Sequence, residues 1–235
     1  MTTFISSLST KTIRFFAYSV LFFMVGLSSC KKEEPTNPSG AYIRFINTSP
    51  TLGTFNIFFD DTKINTAAIP FGGTLNYTLY AAGNHTVKYT TATNANSVLT
   101  KQISLTANQI HSAYLINKDA NLEVLMVVDD ASVTSTTKAF VKFINLSPDA
   151  PALNLDVKAG TNLAKDKTYK TGSAYIQIDP KTYDLDIKDS ATGAVKTTLT
   201  GVEMAAGRYY TVFSRGLLTP GTNDQPFSAQ SIINQ

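Results

Sequence analysis

A tandem duplication is the feature that most constrains what this chain can fold into. The segment Ala41–Pro50 (AYIRFINTSP) recurs as Ala139–Pro148 (AFVKFINLSP), at an offset of 98 residues and with six identities. The same offset relates Phe71 to Tyr169 further along the chain. A period near 98 residues far exceeds the roughly 20–50 residues of solenoid repeats, so the copies are whole domains in tandem. We expect repeat 1 at residues 41–130, a polar linker at 131–138 and repeat 2 at residues 139–235.

Within each repeat, apolar and polar residues alternate. In Leu153–Lys158 (LNLDVK) and Tyr183–Lys188 (YDLDIK) every second residue is apolar, which is the period of a half-buried β-strand. Turn sequences such as Ala82–Asn84 separate these segments, and no segment beyond the tether shows a sustained helical stripe. The sequence therefore predicts an all-β chain of two tandem immunoglobulin-like antiparallel β-sandwiches, each with seven or eight strands.

The residues after the first strand of repeat 2, Asn145–Pro151 (NLSPDAP), resemble those of a bacterial extracellular family, domain of unknown function 4397. The resemblance covers residues 41 to about 216 as two copies. In repeat 1, Thr51–Gly53 replaces the Asp-Ala-Pro of the motif, so any role of Asp149 is expected in repeat 2 alone. The resemblance implies a sandwich fold and secretion or surface anchoring, and it implies no established reaction.

Residues 1–29 have the pattern of a signal peptide. Lys11 and Arg14 precede the apolar run Phe15–Leu27, whose 13 residues are too few for the ~20 of a membrane-spanning helix. The next residues, Ser28 to Cys30, complete a sequence that resembles the bacterial lipobox. This resemblance implies cleavage before Cys30 and attachment to a membrane through lipid on that cysteine.

Cys30 is the only cysteine in the chain, which excludes an intramolecular disulfide and a cysteine-cluster metal site. Residues 30–40 are expected to be the lipidated cysteine and a flexible tether, because charged residues and prolines follow Cys30 and apolar residues do not. The charged residues Lys31, Lys32, Glu33 and Glu34 resemble the export signal of Bacteroidota surface lipoproteins, while a generic solvated spacer explains the same composition. We expect a lipid-anchored protein of the bacterial outer membrane, at the cell surface or on the periplasmic face.

The charge balance excludes one class of partner. Removal of residues 1–29 takes away two basic residues and leaves 18 basic against 17 acidic ones. A nearly neutral chain lacks the excess of basic residues expected of a nucleic-acid-binding protein. We therefore expect no nucleic-acid partner.

The sequence offers no catalytic constellation. His85 corresponds to Tyr183 in the other repeat, and His111 to Tyr209 or Tyr210, so both histidines are interpreted as packing or edge residues. The motifs of common nucleophiles and metalloproteases are missing from the sequence. We expect no enzymatic activity, no cofactor and no metal.

Three carboxylates of repeat 2 are candidate calcium ligands: Asp184, Asp186 and Asp189. They lack the glycine and the terminal glutamate of a calcium loop. We interpret them as a solvated outer strand face. Ser190, within Asp189–Ala191, resembles the Bacteroidota O-glycosylation acceptor and is expected in an exposed turn.

Five residues form a candidate binding or interdomain surface: Tyr42, Phe58, Tyr80, Phe140 and Asp149. The aromatic residues fall on predicted outer strand faces. Phe58 is the strongest candidate, because its counterpart in repeat 2 is the charged residue Asp156, so this face is apolar in one repeat only. Asp149 lies in a turn at a sandwich end, where ligand contacts concentrate, although turn chemistry alone also explains it.

Taken together, these patterns predict a membrane-anchored, non-enzymatic binding or adhesion module for a protein or a glycan. A structural spacer or envelope-assembly component is the alternative. A hydrolase acting on envelope polymers would require Asp149, Asp184 or a histidine in a polar cleft.

Overall fold

Residues 39–234 are described by a computed structural model. The strands of repeat 1 are β1 (Gly40–Asn47), β2 (Phe55–Phe59), β3 (Thr62–Lys63), β4 (Thr78–Ala81), β5 (Gly83–Thr91), β6 (Ser97–Leu105), β7 (Ile110–Ile116) and β8 (Glu123–Val128). The strands of repeat 2 are β9 (Ala139–Asn145), β10 (Leu153–Val157), β11 (Asn162–Lys167), β12 (Ile176–Ile178), β13 (Lys181–Asp189), β14 (Val195–Met204), β15 (Tyr209–Arg215) and β16 (Ser228–Ile233). The predicted all-β fold with two sandwich repeats is confirmed.

Each repeat consists of two four-stranded sheets. In repeat 1 the outer sheet has the order β3-β2-β5-β6 and the inner sheet the order β4-β1-β7-β8. Repeat 2 repeats this plan, with an outer sheet β11-β10-β13-β14 and an inner sheet β12-β9-β15-β16. Within the described range, no helix has the length and apolar character needed to cross a bilayer.

One feature of the topology differs from the sequence expectation. β1 pairs with β7 in parallel, and β9 pairs with β15 in parallel. The expectation of a wholly antiparallel sandwich is therefore wrong at the centre of both inner sheets. The reason is that the chain leaves β1 for the outer sheet and returns so that β7 runs in the direction of β1, a relation that strand periodicity does not reveal.

The alternation in the sequence explains both sandwich cores. Phe45 of β1 and Ile57 of β2 belong to one buried cluster in repeat 1, and Phe143 and Leu155 belong to the equivalent cluster in repeat 2. All four side chains are buried. Burial of one face of each sheet against the other is the main stabilising term for such a fold.

The duplicated motif stabilises the same turn in both repeats. The amide nitrogen of Asn47 donates to the carbonyl oxygen of Ile69 at 3.1 Å, and that of Asn145 donates to the carbonyl oxygen of Lys167 at 3.0 Å. Each asparagine oxygen also accepts from the serine N–H two residues on. The asparagine therefore fixes the end of the first strand to a distant segment of its own repeat, which is a structural role for the motif.

Candidate functional site

An apolar seam joins the inner sheets of the two repeats. Its members lie on or beside β1, β7, β9 and β15 and are buried: Ile46, Tyr114, Ile116, Ile144, Leu146 and Phe213. The rings of Tyr114 and Phe213 meet edge to face, with centroids 5.6 Å apart. Because large side chains interdigitate here as in a domain core, the described part of the chain behaves as one compact unit.

Two buried cations cross this seam at equivalent positions. Lys142 of β9 places its Nζ 2.6 Å from an oxygen of Asp129, and both side chains are almost completely buried. Arg44, the counterpart of Lys142 in repeat 1, donates at 2.8 Å to the carbonyl oxygen of Ile233. Each repeat thus inserts one cation beside the end of the last strand of the other repeat. The seam therefore has an approximate twofold relation.

Asp129 is the centre of a satisfied polar network. Besides Lys142, it accepts hydrogen bonds from the hydroxyls of Tyr77 at 2.7 Å and Ser112 at 2.6 Å. Burial raises the pKa of Tyr77 far above its ordinary value, with the charge of Asp129 as the second cause. Burial lowers the pKa of Lys142, against the opposing effect of Asp129. With three donors already bound, Asp129 has a structural role rather than that of a free base.

An interdomain cleft opens along the seam between β8, the linker and the segment before β12. Its volume is about 400 Å³, within the range of ligand sites. Most of its lining is apolar or aromatic and comes from Leu125, Val127, Val133, Ile144, Tyr175 and Tyr209. The rings of Tyr175 and Tyr209 meet edge to face, with centroids 5.1 Å apart. The interdomain cleft is therefore a preformed cavity with a largely apolar wall.

Contacts between the repeats or with the linker flank the interdomain cleft. At one end, Lys170 of repeat 2 forms an ion pair with Glu123 of repeat 1. At the other end, the Tyr209 hydroxyl donates to the carbonyl oxygens of Ala131, at 3.2 Å, and of Val133. These contacts fix the linker against repeat 2. The shape of the cleft therefore depends on the relative placement of the two repeats.

At the equivalent position on the other side of the seam, longer side chains occupy the space. The Arg215 guanidinium lies 4.3 Å above the centre of the Phe71 ring. Gln230 donates at 3.1 Å to the carbonyl oxygen of Gly72. In repeat 1, the strand register puts Ile116 and Leu125 at the positions of Arg215 and Gln230. Shorter apolar side chains thus leave the interdomain cleft open where the duplication would otherwise fill it.

The free edge of β8 forms one wall of the interdomain cleft. β8 is the last strand of its sheet and pairs with β7 alone. Because the Asp129 N–H donates to the Ile110 carbonyl oxygen, the ladder bonds to β7 fall on Val127 and Leu125 in the antiparallel register. The N–H and C=O of Met126 therefore point to the open edge. Such an edge offers main-chain hydrogen bonds to an added strand.

The structure separates the predicted surface aromatics from one another. Tyr42 is 47% exposed in β1, an interior strand of the inner sheet of repeat 1. Tyr80 instead packs against the core of repeat 1, where its ring centroid lies 4.0 Å from that of Phe59. The expectation that Tyr80 lies on an outer face is therefore wrong. The reason is its pairing with buried Ala41, which directs both side chains inward.

Phe140 is buried, whereas Phe58 is half-buried. Phe140 is 1% exposed and stacks on Tyr209 at 4.4 Å, so its expected exposure on an outer face is wrong. It lies on the strand face that carries Lys142 towards the seam. Phe58 lies on the outer sheet of repeat 1, and the seam is formed by the inner sheets. The hypothesis that Phe58 contacts the other repeat is therefore wrong. The hypothesis that Phe58 contacts a partner molecule stays a proposal.

Asp149 and Ser190 both lie in turns. The two carboxylate oxygens of Asp149 accept from the N–H groups of Leu218 and Thr219, each at 2.9 Å. Through these two hydrogen bonds Asp149 stabilises the loop after β15, which is a structural role. Ser190 is half-buried in the turn between β13 and β14, and its hydroxyl donates to Asp166. Glycosylation of Ser190 stays a prediction.

The residues predicted to anchor and export the chain lie outside the described residues. These are the signal peptide at residues 1–29, Cys30 and the charged residues Lys31, Lys32, Glu33 and Glu34. Lipid attachment and outer-membrane localisation therefore enter below as proposals. The linker region at 131–138 is coil between β8 and β9 in the structure.

The titratable residues weighed from the sequence do not converge on one site. His85 hydrogen-bonds Asp60 at 2.6 Å and the Ala81 carbonyl oxygen at 2.8 Å, while His111 is buried in β7. Asp186 and Asp189 are buried, so their expected placement on a solvated face is wrong. Thr198 and Lys196 lie beside them and satisfy the carboxylates. Among residues 39–234, no group of three or more histidine, cysteine or acidic side chains is arranged to hold a metal ion.

Fold and site define an all-β protein of two fused sandwich repeats with a cleft at their junction. Residues 41–156 match the model of the family described as Domain of unknown function (DUF4397). This match spans repeat 1, the linker and the start of repeat 2, ending in β10. The internal sequence similarity and the equivalent strand orders of the two repeats remain our basis for proposing a second copy.

The comparison with curated proteins gives no match. Among solved structures, the chain is similar to the C-terminal domain of AlgF from P. aeruginosa, with 21% identity and a TM-score of 0.32 over 42% of this chain and 99% of that one. It is also similar to family 41 carbohydrate-binding modules from streptococcal virulence factors, with 14% identity and a TM-score of 0.26 over 74% of this chain and 92% of that one. A family 26 module from Eubacterium rectale Amy13K, solved with maltoheptaose, has 9% identity and a TM-score of 0.26 over 81% and 96% of the two chains. At these values the likenesses carry no argument about ligand or activity.

The residues of the seam and the interdomain cleft are not among the sites predicted from the sequence. A signal was present, because Ser112–Ile116 and Tyr209–Ser214 are buried along their whole length and contain uninterrupted apolar segments. Such runs are typical of strands covered on both faces. The expectation of half-buried strands, drawn from segments such as Leu153–Lys158, includes no second covered face, so the seam is not among the predicted features.

Proposed function

We propose that this chain is a lipid-tethered, non-enzymatic binding module that accepts an extended segment of a partner protein in the interdomain cleft. One observation carries this proposal. Four consecutive residues of the edge strand β8, Leu125–Val128, line the cleft. A peptide lying there in extended form would pair with the free N–H and C=O of Met126, the recognition mode in which main-chain hydrogen bonds supply affinity.

The chemistry of the wall supports a peptide with small or apolar side chains. Leu125, Val127 and Ile144 offer apolar surface, while Tyr175 and Tyr209 offer aromatic surface with polar ends. Lys142 is already paired with Asp129. Lys170, the other lysine of the lining, is paired with Glu123, so the cleft offers no unpaired cation to attract a strongly acidic segment.

The same wall supports a binding role over a catalytic one. The lining residues include neither histidine nor cysteine in the part of the chain that the structure describes. Asp130, the carboxylate in the lining, has its pKa lowered first by a hydrogen bond from the Ser132 side chain and next by one from the Ser132 N–H. A general base that activates a nucleophile would need a pKa nearer to neutral. A structural spacer remains the alternative and predicts no ligand at all.

The anchor completes the proposal. Lipid on Cys30 would hold the module to the outer membrane, and the tether would sort it to the cell surface. Proteinase K treatment of intact cells tests the location, with a variant in which Glu33 and Glu34 become alanine as the comparison. The proposal expects loss of the wild-type band and protection of the variant. Protection of both, with folding and lipidation confirmed, would place the module on the periplasmic side.

Binding in the cleft is tested with a short, fluorescent peptide of alternating valine and threonine. Ala174 is exposed and lines the cleft mouth, so Ala174→Trp should fill the mouth without disturbing a core. We expect saturable fluorescence anisotropy with the wild type and at least about a tenfold weaker affinity with Ala174→Trp, which corresponds to ~1.4 kcal/mol. Asn76→Trp is the matched control, because Asn76 is the exposed counterpart of Ala174 in repeat 1.

Three results would count against the peptide site. An equal loss of peptide affinity in Ala174→Trp and Asn76→Trp would show a general effect of a surface tryptophan. Binding that survives Ala174→Trp would place the peptide elsewhere. Binding of neutral oligosaccharides in the cleft, with no peptide binding, would support a glycan ligand instead.

A further inference from the structure

The outer sheet of repeat 1 carries an aromatic residue between two lysines. In the strand register, Phe58 of β2 lies directly opposite Lys63 of β3 on one side and Lys88 of β5 on the other. Residues paired in this way point to the same face of a sheet. That face is turned away from the core, because Ile57 and Phe59 point inward. The Lys88 ammonium lies 4.9 Å from the centre of the Phe58 ring.

The strands of this sheet bear cations and no carboxylate. β2, β3, β5 and β6 contain three lysines and neither aspartate nor glutamate. In the turn between β2 and β3, Asp60 is engaged by His85 and by the Thr86 N–H. The neighbouring Asp61 lies 3.3 Å from Lys88, but its side chain is 89% exposed. So exposed a pair is weak, and Lys88 can exchange it for another anion.

The equivalent face of repeat 2 has the opposite character. Asp156 and Asp186 occupy the positions of Phe58 and Lys88. Lys188 lies 2.8 Å from Asp156, and the Thr198 hydroxyl donates to Asp186 at 2.7 Å. The carboxylates of repeat 2 are therefore satisfied within the chain. At these positions, an outward-facing, half-buried aromatic ring and a weakly paired lysine belong to repeat 1 alone.

Neutral polar side chains surround the ring of Phe58. Asn56 and Thr86 lie on the same face, and Gln102 donates to the Thr86 hydroxyl at 2.6 Å. A flat aromatic ring suits the apolar face of a sugar, and amide and hydroxyl groups suit its hydroxyls. Lysines suit carboxylates through charge-assisted hydrogen bonds. This combination of groups fits an acidic sugar better than it fits a strongly acidic peptide, which would leave the ring and the neutral groups without partners.

We propose that Phe58, Lys63 and Lys88 form a platform that binds an acidic polysaccharide on the outer sheet of repeat 1. This platform is separate from the interdomain cleft. It gives the chain a second binding surface, with a uronic-acid polymer as the class of ligand. The two sites lie on different sheets, so the failure of one proposal leaves the other testable.

The test uses the full chain in mild detergent and immobilised polygalacturonate as the probe, with neutral dextran as the control polymer. We expect saturable binding to polygalacturonate that weakens with added salt, and little binding to dextran. Phe58→Ala and Lys63→Glu should each weaken the binding about tenfold or more, a change of ~1.4 kcal/mol in binding free energy. Circular dichroism of each variant establishes that the fold is retained.

Matched controls decide between the platform and a general charge effect. Lys158→Glu makes the same charge change at a turn residue of repeat 2 and should leave the binding unchanged, as should Ala174→Trp in the cleft. Equal losses of polygalacturonate binding in Lys63→Glu and Lys158→Glu would overturn the proposal. Undiminished polygalacturonate binding by Phe58→Ala would overturn it as well. Equally tight binding of poly-glutamate would replace the sugar with an acidic peptide as the partner.

Discussion

At the scale of single residues, the pair Lys142 and Asp129 shows how the two repeats are joined. Both charges are buried, and Asp129 also accepts from Tyr77 and Ser112. A buried pair of this kind adds little to stability relative to an apolar replacement of both partners, but loss of one partner leaves the other charge uncompensated.

We therefore expect Lys142→Met to lower the free energy of unfolding by about 3–5 kcal/mol. Urea denaturation followed by tyrosine fluorescence measures this change. Lys138→Met is the matched control, because Lys138 pairs with Asp179 at the surface, where both side chains are largely exposed. The control should lower the free energy of unfolding far less, because an exposed ion pair is screened by solvent. Equal effects of the two variants would contradict a structural role for the buried pair.

Individual residues also show where sequence reasoning stops. The alternation of LNLDVK correctly placed Leu153 and Leu155 in the core. The same reasoning placed Asp186 in solvent, where the structure has a buried carboxylate bonded to Thr198. Periodicity assigns a side chain to a face, but it does not say whether neighbouring side chains cover that face.

At the scale of elements, the loop between β15 and β16 docks onto repeat 1. Asp224 forms an ion pair with Lys118 at 2.7 Å, and the Gln225 N–H donates to the Pro50 carbonyl oxygen at 3.1 Å. The hydrogen bond from Lys118, and next the one from the Gly221 N–H, lower the pKa of Asp224 below its ordinary value. A depressed carboxyl pKa contributes stability above the unfolded-state pKa, and this contribution is lost as the pH falls through the folded-state pKa.

We accordingly predict that the docked loop loosens in acid. The protection of the Gln225 amide against hydrogen exchange should be constant near neutral pH and should fall below about pH 4, near the unfolded pKa of aspartate. Asp224→Asn should show the lower protection already at neutral pH, with little further dependence on acid. A wild-type profile that is flat, or one that Asp224→Asn reproduces, would contradict this account.

The number and type of the strands could be predicted from the sequence. That some strands are covered on both faces could not. Each repeat has eight strands, within the range of seven or eight that the spacing of turns predicts. The parallel pairing of β1 with β7 and the burial of β7 on both faces depend on how distant segments meet. A pattern with a period of two contains no information about either property.

At the scale of the whole molecule, the seam makes two sequence repeats into one folding unit. We predict that calorimetry of the chain gives a single cooperative transition, because the buried seam couples the two sandwiches. Phe213→Ala should lower the free energy of unfolding by about 3–5 kcal/mol, since it leaves a cavity opposite Tyr114. Two separate transitions in the wild type would show that the repeats are independent.

The duplication predicted two domains but not the site between them. Small differences between the copies create the interdomain cleft, above all Leu125 and Ile116 at the positions of Gln230 and Arg215. Such differences become meaningful only once the approximate twofold relation of the repeats is known. The candidate site is thus a property of the assembled pair rather than of either repeat.

The most direct test of the account is hydrogen exchange at the edge of β8 with and without the alternating valine and threonine peptide. We predict slower exchange at the Met126 amide, which faces the open edge, when the peptide is added, and no change at this amide in Ala174→Trp. Unchanged exchange at Met126 under saturating peptide, or the same slowing in Ala174→Trp, would contradict the claim that the interdomain cleft binds an extended strand.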